Sequence, residues 1–418
     1  MPVMTLEALR NAVAGGAVAI RGKAILQPAG GPGDKVFPPT HSVDDRSSKE
    51  RGARYAREER QLPNGVVTPC VLLDSVQSQA NRMEEALQEI WAAKKIVLPV
   101  VAVSFADVAP DVGVVTSLSA PHRIADALLR DSLLDGKLFR LSELGRSFAD
   151  CSPRNATPLF KVCPTGLVFG LWDSTGPRGG LGAKFSRVLV SEIVGFDARP
   201  GVKTSSRIDP AGIVTKAAEI LVAADPDERW TVDPTAARRD KSGKPEKVGD
   251  GRVSEINHSN FPPSIDQVSG GVTIDHAEQT VVLSLAGLRR LSFGDADLEA
   301  RTVLAALALL AVLAADDRGL DLRSRCLLVP QPGGALRLEL VVKDGTTVPL
   351  ELDLAGAIEL YASAVKALPT SAVFSRRSGD GNLGLGEPLA QLIPSDKLAH
   401  LVRESRNLAA AGAEIEES

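Results

Sequence analysis

The apolar run VLAALALLAVLAA, residues 303–315, limits the possible folds more than any other stretch of this chain. It contains only Ala, Leu and Val, and it is shorter than the roughly 20 residues that a bilayer-spanning helix needs. We therefore predict a buried core helix. Around it, stretches with strand composition and stretches with helical spacing are interspersed without a regular 30-residue repeat. That order favours an α+β fold over a doubly wound parallel sheet.

The composition is typical of a globular chain, with 44% apolar and 24% charged residues. The 418 residues suffice for one large or two medium domains. The formal net charge of −4 excludes polyanion binding through bulk positive charge, so any such contact has to be local. Only 4% of the residues are aromatic, which disfavours a site built from many stacking platforms for bases.

Signals for metals, cofactors and catalysis are missing from the sequence. The four cysteines contain no C-x-x-C pair, which favours buried free thiols over disulfides or a zinc site. No two of the five histidines have metal-ligand spacing, and neither G-x-S-x-G nor H-E-x-x-H occurs. We expect no cofactor, no metal and no catalytic residue. The N-terminal stretch lacks a signal-peptide pattern, so we expect a cytoplasmic protein that does not associate with membranes.

Two polar stretches interrupt the pattern of strands and helices. Residues 30–64 are loop-like and include the basic-rich segment RSSKERGARYAREER, residues 46–60. Residues 225–264 are rich in Pro, Gly and charge, and long excursions of this kind are usually functional or disordered. We predict a core over residues 1–293 with these two insertions. Residues 294–405 are predicted to add a helix and strands to the same core, and residues 406–418 to form a disordered acidic tail.

The first candidate site is the predicted helix LLDSVQSQANRMEEAL, residues 72–87. Asp74 is the expected N-cap, with Gln77 completing a capping box. Unpaired N–H groups at a helix N-terminus favour an anion, and Arg82 would add donors. The alternative, favoured on residue chemistry alone, is a surface helix that hydrogen-bonds a neighbouring segment. The polar candidates are Ser75, Ser78, Gln79 and Arg82 on one flank of the apolar stripe and Gln77 and Asn81 on the other.

The second candidate is the glycine-rich stretch DSTGPRGGLGAKFSR, residues 173–187. It does not match a nucleotide-binding P-loop, because Ala183 separates Gly182 from Lys184 and a strand is expected to follow. Its backbone amides would suit a phosphate chain, with Arg178 and Lys184 beside them. A hairpin loop with incidental charge is an equally good interpretation.

Two further stretches carry polar groups. SAPHRIADALLRDSLL, residues 119–134, is predicted to be a helix with Ser119 as N-cap and with His122 and Arg123 in its first turn. No second catalytic group lies near His122, so a capping or surface histidine is favoured over acid–base chemistry. SEINHSNFPPS, residues 254–264, contains four hydrogen-bonding residues that either hold RNA or shape turns: Asn257, His258, Ser259 and Asn260.

Taken together and in this order, four strings resemble one family. They are LLDSVQSQANRMEEAL, TSLSAPHRIADALLRDS, GLVFGLWDSTGPRGGLGAKFSRVLVSEIVG and SEINHSNFPPS, and the family is the backbone RAMP subunit of the type I CRISPR interference complex (Cascade), subtype G. The resemblance runs from about residue 16 to about residue 293. It implies an RRM-like, ferredoxin-like βαββαβ antiparallel sheet with large insertions. One insertion, residues 225–264 or residues 46–60, would be a thumb that kinks the guide.

The resemblance also implies a function and partners. Several copies would polymerise along one CRISPR guide RNA, hold its backbone and leave its bases to pair with a target DNA strand. The other partners would be the large subunit and the subunit that binds or processes the repeat end. Such a subunit contacts phosphate and 2′-hydroxyl groups rather than base edges. The alternatives are a metal-independent CRISPR RNA-processing endoribonuclease, motivated by His122 and His258, and a pure protein–protein scaffold.

Carried onto this chain, the resemblance implies RNA contacts from all four strings. The residues are Ser75, Gln77, Ser78, Gln79, Asn81, Arg82, His122, Arg123, Ser174, Thr175, Arg178, Lys184, Asn257, His258, Ser259 and Asn260. DNA cleavage in such systems is attributed to a separate helicase-nuclease, so we expect no catalytic activity in this subunit.

Overall fold

A computed structural model describes residues 3–42, 54–174, 183–225, 227–267, 269–377 and 381–410. The chain divides into two compact units. The first comprises Met1–Arg199 and Val272–Ala399, and the second comprises Pro200–Gly271 and His400–Ser418. The second unit therefore includes the predicted 225–264 insertion but begins and ends outside it.

Helices and strands are interspersed along the described residues. The α-helices are α1 Leu6–Asn11, α2 Val76–Ala92, α3 Ala127–Arg130, α4 Glu143–Ser147, α5 Thr157–Val162, α6 Pro164–Phe169, α7 Leu285–Leu288, α8 Asp297–Asp317, α9 Leu354–Lys366 and α10 Asp396–Ala410. The strands are β1 Ala19–Pro28, β2 Thr40–His41, β3 Arg54–Tyr55, β4 Arg57–Gln61, β5 Val67–Asp74, β6 Val101–Ser104, β7 Val114–Thr116, β8 Ser132–Leu134, β9 Lys137–Leu138, β10 Leu171–Trp172, β11 Lys184–Phe185, β12 Leu189–Phe196, β13 Arg199–Pro200, β14 Lys203–Arg207, β15 Leu221–Val222, β16 Trp230–Thr231, β17 Phe261–Asp266, β18 Val272–Thr273, β19 His276–Ser284, β20 Leu320–Asp321, β21 Leu327–Pro330, β22 Arg337–Val341, β23 Thr347–Leu350 and β24 Ala390–Pro394.

The main sheet of the first unit is antiparallel, and with the helices it confirms the predicted α+β class. Counted over the described residues it has nine strands, in the order β20-β21-β1-β19-β12-β5-β4, and the β22–β23 hairpin joins at β1. Strands β1 and β19 pair over most of their length, from Ala19↔Ser284 to Leu26↔Ala277. A second sheet in the same unit has the order β7-β6-β24-β8-β9. Residues after 293 thus contribute strands to both sheets.

Strands β1 and β19 each bury one face. Every second residue of both strands is buried, among them Ile20 and Leu26 of β1 and Val281 of β19. The other face is polar, and Lys23 pairs there with Glu278 at 2.7 Å. Such one-sided burial is typical of antiparallel sheets and explains the partial alternation in the sequence.

The apolar run forms the centre of α8, as the sequence predicts. Almost every residue from 300 to 314 is buried, and α8 packs against α2 and α9. The segment Gly294–Asp317 is long and apolar enough to cross a membrane by composition, but most of it is buried inside the protein. A core helix meets the same criteria. The stretch KDGTT, residues 343–347, has the composition of a hairpin turn, and it connects β22 to β23.

Residues 119–134 do not form the predicted continuous helix. Arg123 adopts a left-handed conformation, with φ at 54°, inside a short 3₁₀ turn, Arg123–Ala125. The α-helix that follows, α3, is one turn long and takes Asp126 rather than Ser119 as its N-cap. The local helical propensity is overridden because the Arg123 side chain is held in the interior, as described below.

Three other segments also differ from the prediction. Residues 166–169 of GLVFGLWDS, a stretch whose composition predicts a strand, lie in helix α6, and the helix ends before Gly170, whose φ is 89°. Residues 57–61 of the predicted loop form β4, which pairs with β5, and their charges suit an exposed edge. Residues 43–53 lie outside the described residues. Of the predicted disordered tail, residues 406–410 belong to α10, and residues 411–418 are outside the described part.

The start of α2 is built differently from the predicted capping box. Its N-cap is Ser75, whose hydroxyl accepts a hydrogen bond from the Ser78 amide at 3.2 Å. Asp74 is fully buried instead. Its carboxylate accepts hydrogen bonds from Gln79 Nε2 at 2.7 Å, Arg82 Nε at 3.0 Å and Arg323 Nη2 at 3.1 Å. A buried carboxylate is tolerated only when it is paired in this way, because an unpaired one loses its hydration without compensation.

The same network connects α2 to the centre of the main sheet. Gln79 Oε1 accepts hydrogen bonds from Ser191 Oγ of β12 at 2.8 Å and from Gln279 Nε2 of β19 at 3.1 Å. All three side chains are buried. Arg323 also donates to the carbonyl of Leu73 at 2.7 Å, which connects the end of β5 to the loop between β20 and β21.

Asp74→Asn is expected to lower the free energy of unfolding by about 3 to 5 kcal/mol, because two partly buried guanidinium groups lose their shared counter-charge. Urea unfolding monitored by circular dichroism measures the change. Asp135→Asn is the matched control: Asp135 pairs with Arg377 at the surface with 64% of its side chain exposed, and about 0 to 1 kcal/mol is expected. Equal effects of the two changes would contradict a central role for Asp74.

Candidate functional site

A depression of about 540 Å³ opens beside the first turns of α2 in the first unit. This volume lies in the range of ordinary ligand sites. We call it the α2 depression. It is lined by Gln77, Ala80, Asn81, Pro121, His122, Arg123, Phe169, Gly170, Leu171, Trp172, Ser174, Lys184, Phe185, Ser186 and Arg187. The fold thus brings together residues from three of the four strings that the sequence singled out.

The α2 depression is electrostatically one-sided. Among the described residues that line it are Arg123, Lys184 and Arg187, while none is acidic. Gln77, Asn81, Ser174 and Ser186 add neutral hydrogen-bonding groups. Since the whole chain is slightly acidic, this is a local concentration of positive charge, which a polyanion site in such a chain requires.

Arg123 forms part of the floor and is only 8% exposed. Its Nε and Nη2 donate to the two carboxylate oxygens of Glu84 at 2.7 and 2.6 Å, and its Nη1 donates to the carbonyl of Gly170 at 3.1 Å. Burial raises the pKa of Glu84 to about 7, although the charge of Arg123 and hydrogen bonds from Arg123 and Thr165 act in the opposite direction. The sequence predicts ligand contact by Arg123, whereas the structure places its guanidinium against Glu84 and Gly170, where it braces the backbone behind the site.

Arg187 lies at the exposed side of the α2 depression. Its Nε donates to the carbonyl of Phe169 at 3.1 Å, which aligns the side chain along the end of α6. Burial, and then the repulsion of Arg123, lower the pKa of Arg187. An anion bound beside the two guanidinium groups would relieve that repulsion.

The strand pair β10–β11 forms the rim. Trp172 and Lys184 lie directly opposite each other in this pair, and Lys184 Nζ lies 5.4 Å from the centroid of the indole ring. Trp172 is 59% exposed, whereas its neighbours Leu171 and Phe185 are buried. Sequence reasoning did not place Trp172 or Arg187 among the contact residues. The sequence signal was the alternation in Leu171-Trp172 and Lys184-Phe185. If Leu171 and Phe185 face the interior of a strand pair, Trp172 and Lys184 face solvent.

Helix α2 presents the flank with Gln77 and Asn81 to the α2 depression, and not the flank with Gln79. Gln77 and Asn81 are exposed and line the α2 depression. Gln79 is 3% exposed, and both it and Arg82 are engaged with Asp74. In the predicted set of Ser75, Ser78, Gln79 and Arg82, the structure places Gln79 in the buried network under the helix, and RNA contact by Ser75 and Ser78 stays a prediction.

The fourth string lies in the second unit and shapes a turn around Asp209. Ser259 is buried, and its amide donates to Asp209 Oδ2 at 3.0 Å. The Asp209 amide donates to Asn260 Oδ1 at 2.7 Å, and His258 Nδ1 lies 3.4 Å from Asp209 Oδ2. Asn257 and Ser259 both have positive φ. Of the two alternatives, turn formation accounts for these contacts, and RNA contact by Asn257 and His258 stays a prediction.

The remaining candidates are distributed as follows. Ser174 is exposed and lines the α2 depression, whereas Thr175 and Arg178 lie outside the described residues. Cys70, Cys151, Cys163 and Cys326 are buried and free, and burial raises the pKa of Cys151 and Cys326 to about 11. Within the described ranges no group of three or more His, Cys, Asp or Glu side chains is arranged to hold a metal ion.

Comparison with known proteins identifies one family. Residues 20–200 match the model of a family described as CRISPR-associated protein GSU0053. This stretch includes every described residue that lines the α2 depression. No curated protein matches the chain.

Asp209→Asn is expected to loosen the turn formed by residues 257–260, because an amide accepts the surrounding N–H groups more weakly than a carboxylate. Hydrogen exchange of peptides that cover this turn measures the change, with Asp227→Asn as an exposed control in the same unit. Burial acts to raise the pKa of Asp209, but hydrogen bonds from Ala211, Ser259 and His258 outweigh it and lower the pKa.

The pH dependence of this effect has a defined sign. Because the folded-state pKa lies below the ordinary value of 3.8, the carboxylate stabilises the turn above that pH. The stabilisation is lost as the pH falls through the lower, folded-state value. The difference in hydrogen exchange between wild type and Asp209→Asn should therefore shrink as the pH falls below about 5. A difference that grows below about pH 5 would contradict this assignment.

Proposed function

With residues 20–200 matching the CRISPR-associated GSU0053 family, we propose that this chain is a non-catalytic RNA-binding backbone subunit of a type I interference complex. Several copies polymerise along one CRISPR guide RNA, hold its sugar-phosphate backbone and leave bases to pair with target DNA. One observation carries the proposal: three distant segments form a single depression that contains cations and amides and, among its described lining residues, no acid.

The chemistry of the α2 depression suits a nucleic-acid backbone. Lys184, Arg187 and a ring N–H of His122 offer donors to phosphate oxygens, and the amides of Gln77 and Asn81 can exchange hydrogen bonds with 2′-hydroxyl groups. Contacts of this kind fix position without carrying sequence information, which suits a protein that accepts any guide. Gln79, Arg82 and Arg123 are left out of the proposed contact set because the protein itself occupies their polar groups.

The topology supports an RRM-like, ferredoxin-like relationship. In chain order the elements β1, α2, β12, β19, α8 and β21 follow a βαββαβ pattern. Their strands are neighbours in the order β21-β1-β19-β12, and each neighbouring pair is antiparallel. In this interpretation β4 and β5 are additions at the β12 edge. We assign the thumb role to the second unit, which is compact on its own and includes residues 225–264.

The partners and location follow from the same proposal. The guide RNA is the direct ligand, and the target DNA strand is reached through it. Other copies of the chain, the large subunit and the subunit at the repeat end complete the complex in the cytoplasm. RNA cleavage that His122→Ala abolishes would favour the alternative of a metal-independent processing endoribonuclease.

Lys184→Ala and Arg187→Ala are each expected to weaken RNA binding equally for unrelated spacer sequences. Each change should also reduce the slope of log affinity against log salt by about 0.7, the value for one phosphate contact on a single strand. Fluorescence anisotropy with two labelled RNAs of unrelated sequence, titrated between about 50 and 200 mM salt, measures both quantities.

The matched control is Lys343→Ala, an equal loss of charge at the exposed turn between β22 and β23. It should leave affinity and salt slope nearly unchanged. The proposal fails if wild-type protein shows no salt-sensitive RNA affinity, or if the control weakens binding as much as the site variants. A loss of RNA affinity that depends on the spacer sequence would contradict recognition of the RNA backbone.

A further inference from the structure

We propose that Trp172 stacks against one unpaired base of the bound nucleic acid, so that the α2 depression holds a nucleobase as well as backbone. This inference rests on the proposed function, because it takes single-stranded RNA as the ligand. It adds a contact that backbone recognition alone does not require.

The exposure of Trp172 is the first reason. The chain has only three tryptophans, and this one is 59% exposed at the rim of a depression. Aromatic side chains at the mouth of a concave polar site are the groups on which bases stack in proteins that bind single-stranded nucleic acid. Polar and cationic neighbours make a nucleotide a better occupant than an apolar ligand.

The rigidity of the support is the second reason. Trp172 is anchored by the pairing of β10 with β11, and the adjacent Leu171 and Phe185 are 5% and 4% exposed. The backbone that carries the indole is therefore fixed on a buried base. A side chain on a fixed backbone loses less conformational entropy when a ligand binds than one on a mobile loop, which makes it an effective platform.

The position of Lys184 is the third reason. Its ammonium group lies over the indole, 5.4 Å from the ring centroid, on the strand directly opposite. A base stacked on Trp172 would bring its own phosphate close to this cation and to Arg187. Stacking on an aromatic ring contributes without selecting a sequence, since every base has a π-face. The contact is thus compatible with a guide of any sequence.

The test compares two ring variants on two probes. Trp172→Leu keeps an apolar side chain without the aromatic face, and Trp172→Phe keeps a smaller aromatic face. The probes are a single-stranded RNA of mixed sequence and an oligomer of equal length whose ribose units lack bases. Both probes carry the same phosphate charge, so they differ only in the presence of the bases.

Trp172→Leu is expected to weaken RNA binding by roughly 5- to 150-fold, the range for losing one base–aromatic stack. Trp172→Phe should retain most of the affinity, and the abasic oligomer should bind wild type and Trp172→Leu alike. The salt slope should be unchanged in both variants. Tryptophan fluorescence should be quenched when wild type binds RNA and clearly less when Trp172→Phe binds it.

Three results would overturn the inference while leaving the proposed function in place. The first is RNA affinity of Trp172→Leu equal to wild type, while Lys184→Ala still reduces the salt slope. The second is equal weakening on RNA and on the abasic oligomer, which would indicate lost packing. The third is loss of protein self-association with unchanged RNA affinity, which would assign Trp172 to a protein contact. Absence of any salt-sensitive RNA binding by wild type would instead remove the proposed function, and this inference with it.

Discussion

The buried carboxylate of Asp74 determines how α2 lies on the main sheet. It sits where β5 ends and α2 begins, and Gln79, Arg82 and Arg323 all donate to it. A charge without hydration is stable only while those donors stay in place, so the helix cannot rotate about its axis without losing them. The orientation of α2 follows from that requirement.

A fixed orientation of α2 decides what the helix offers to solvent. The flank with Gln79 faces the sheet, so the flank with Gln77 and Asn81 faces the α2 depression. A second buried carboxylate, Glu84 of α2, holds Arg123, and Arg123 in turn holds the carbonyl of Gly170. Two buried carboxylates, one just before α2 and one within it, therefore organise the near wall and the floor of the site.

Much of the fold was accessible from the sequence because its signals are local. An all-apolar run predicts a core helix and a KDGTT turn predicts a hairpin, and both are found. The failures have a common cause. Residues 119–134 have helical composition, but Arg123, whose side chain binds Glu84 39 positions away, adopts a left-handed conformation that interrupts the predicted helix.

The sequence contains one signal that the Gln79 flank of α2 is buried. In HAEQTVVLS, the alternation that buries Ala277 and Val281 also places Gln279 on the buried face of β19. A polar side chain in that position needs a buried partner, and Gln79 on α2 provides it. Local pattern alone could not join the two, because an amide suits an exposed flank and a buried network equally well.

The sequence by itself determined the α+β class, the core helix and the chemical character of the candidate strings, because composition and periodicity act over a few neighbouring residues. Tertiary structure alone decided which polar groups are free for a ligand. Gln79 and Gln279 are 200 positions apart, and their hydrogen bond exists only after the sheet and helix have assembled. The same assembly brings Trp172 and Lys184, which lie in one segment of the sequence, to the rim beside Gln77, which lies in a distant one.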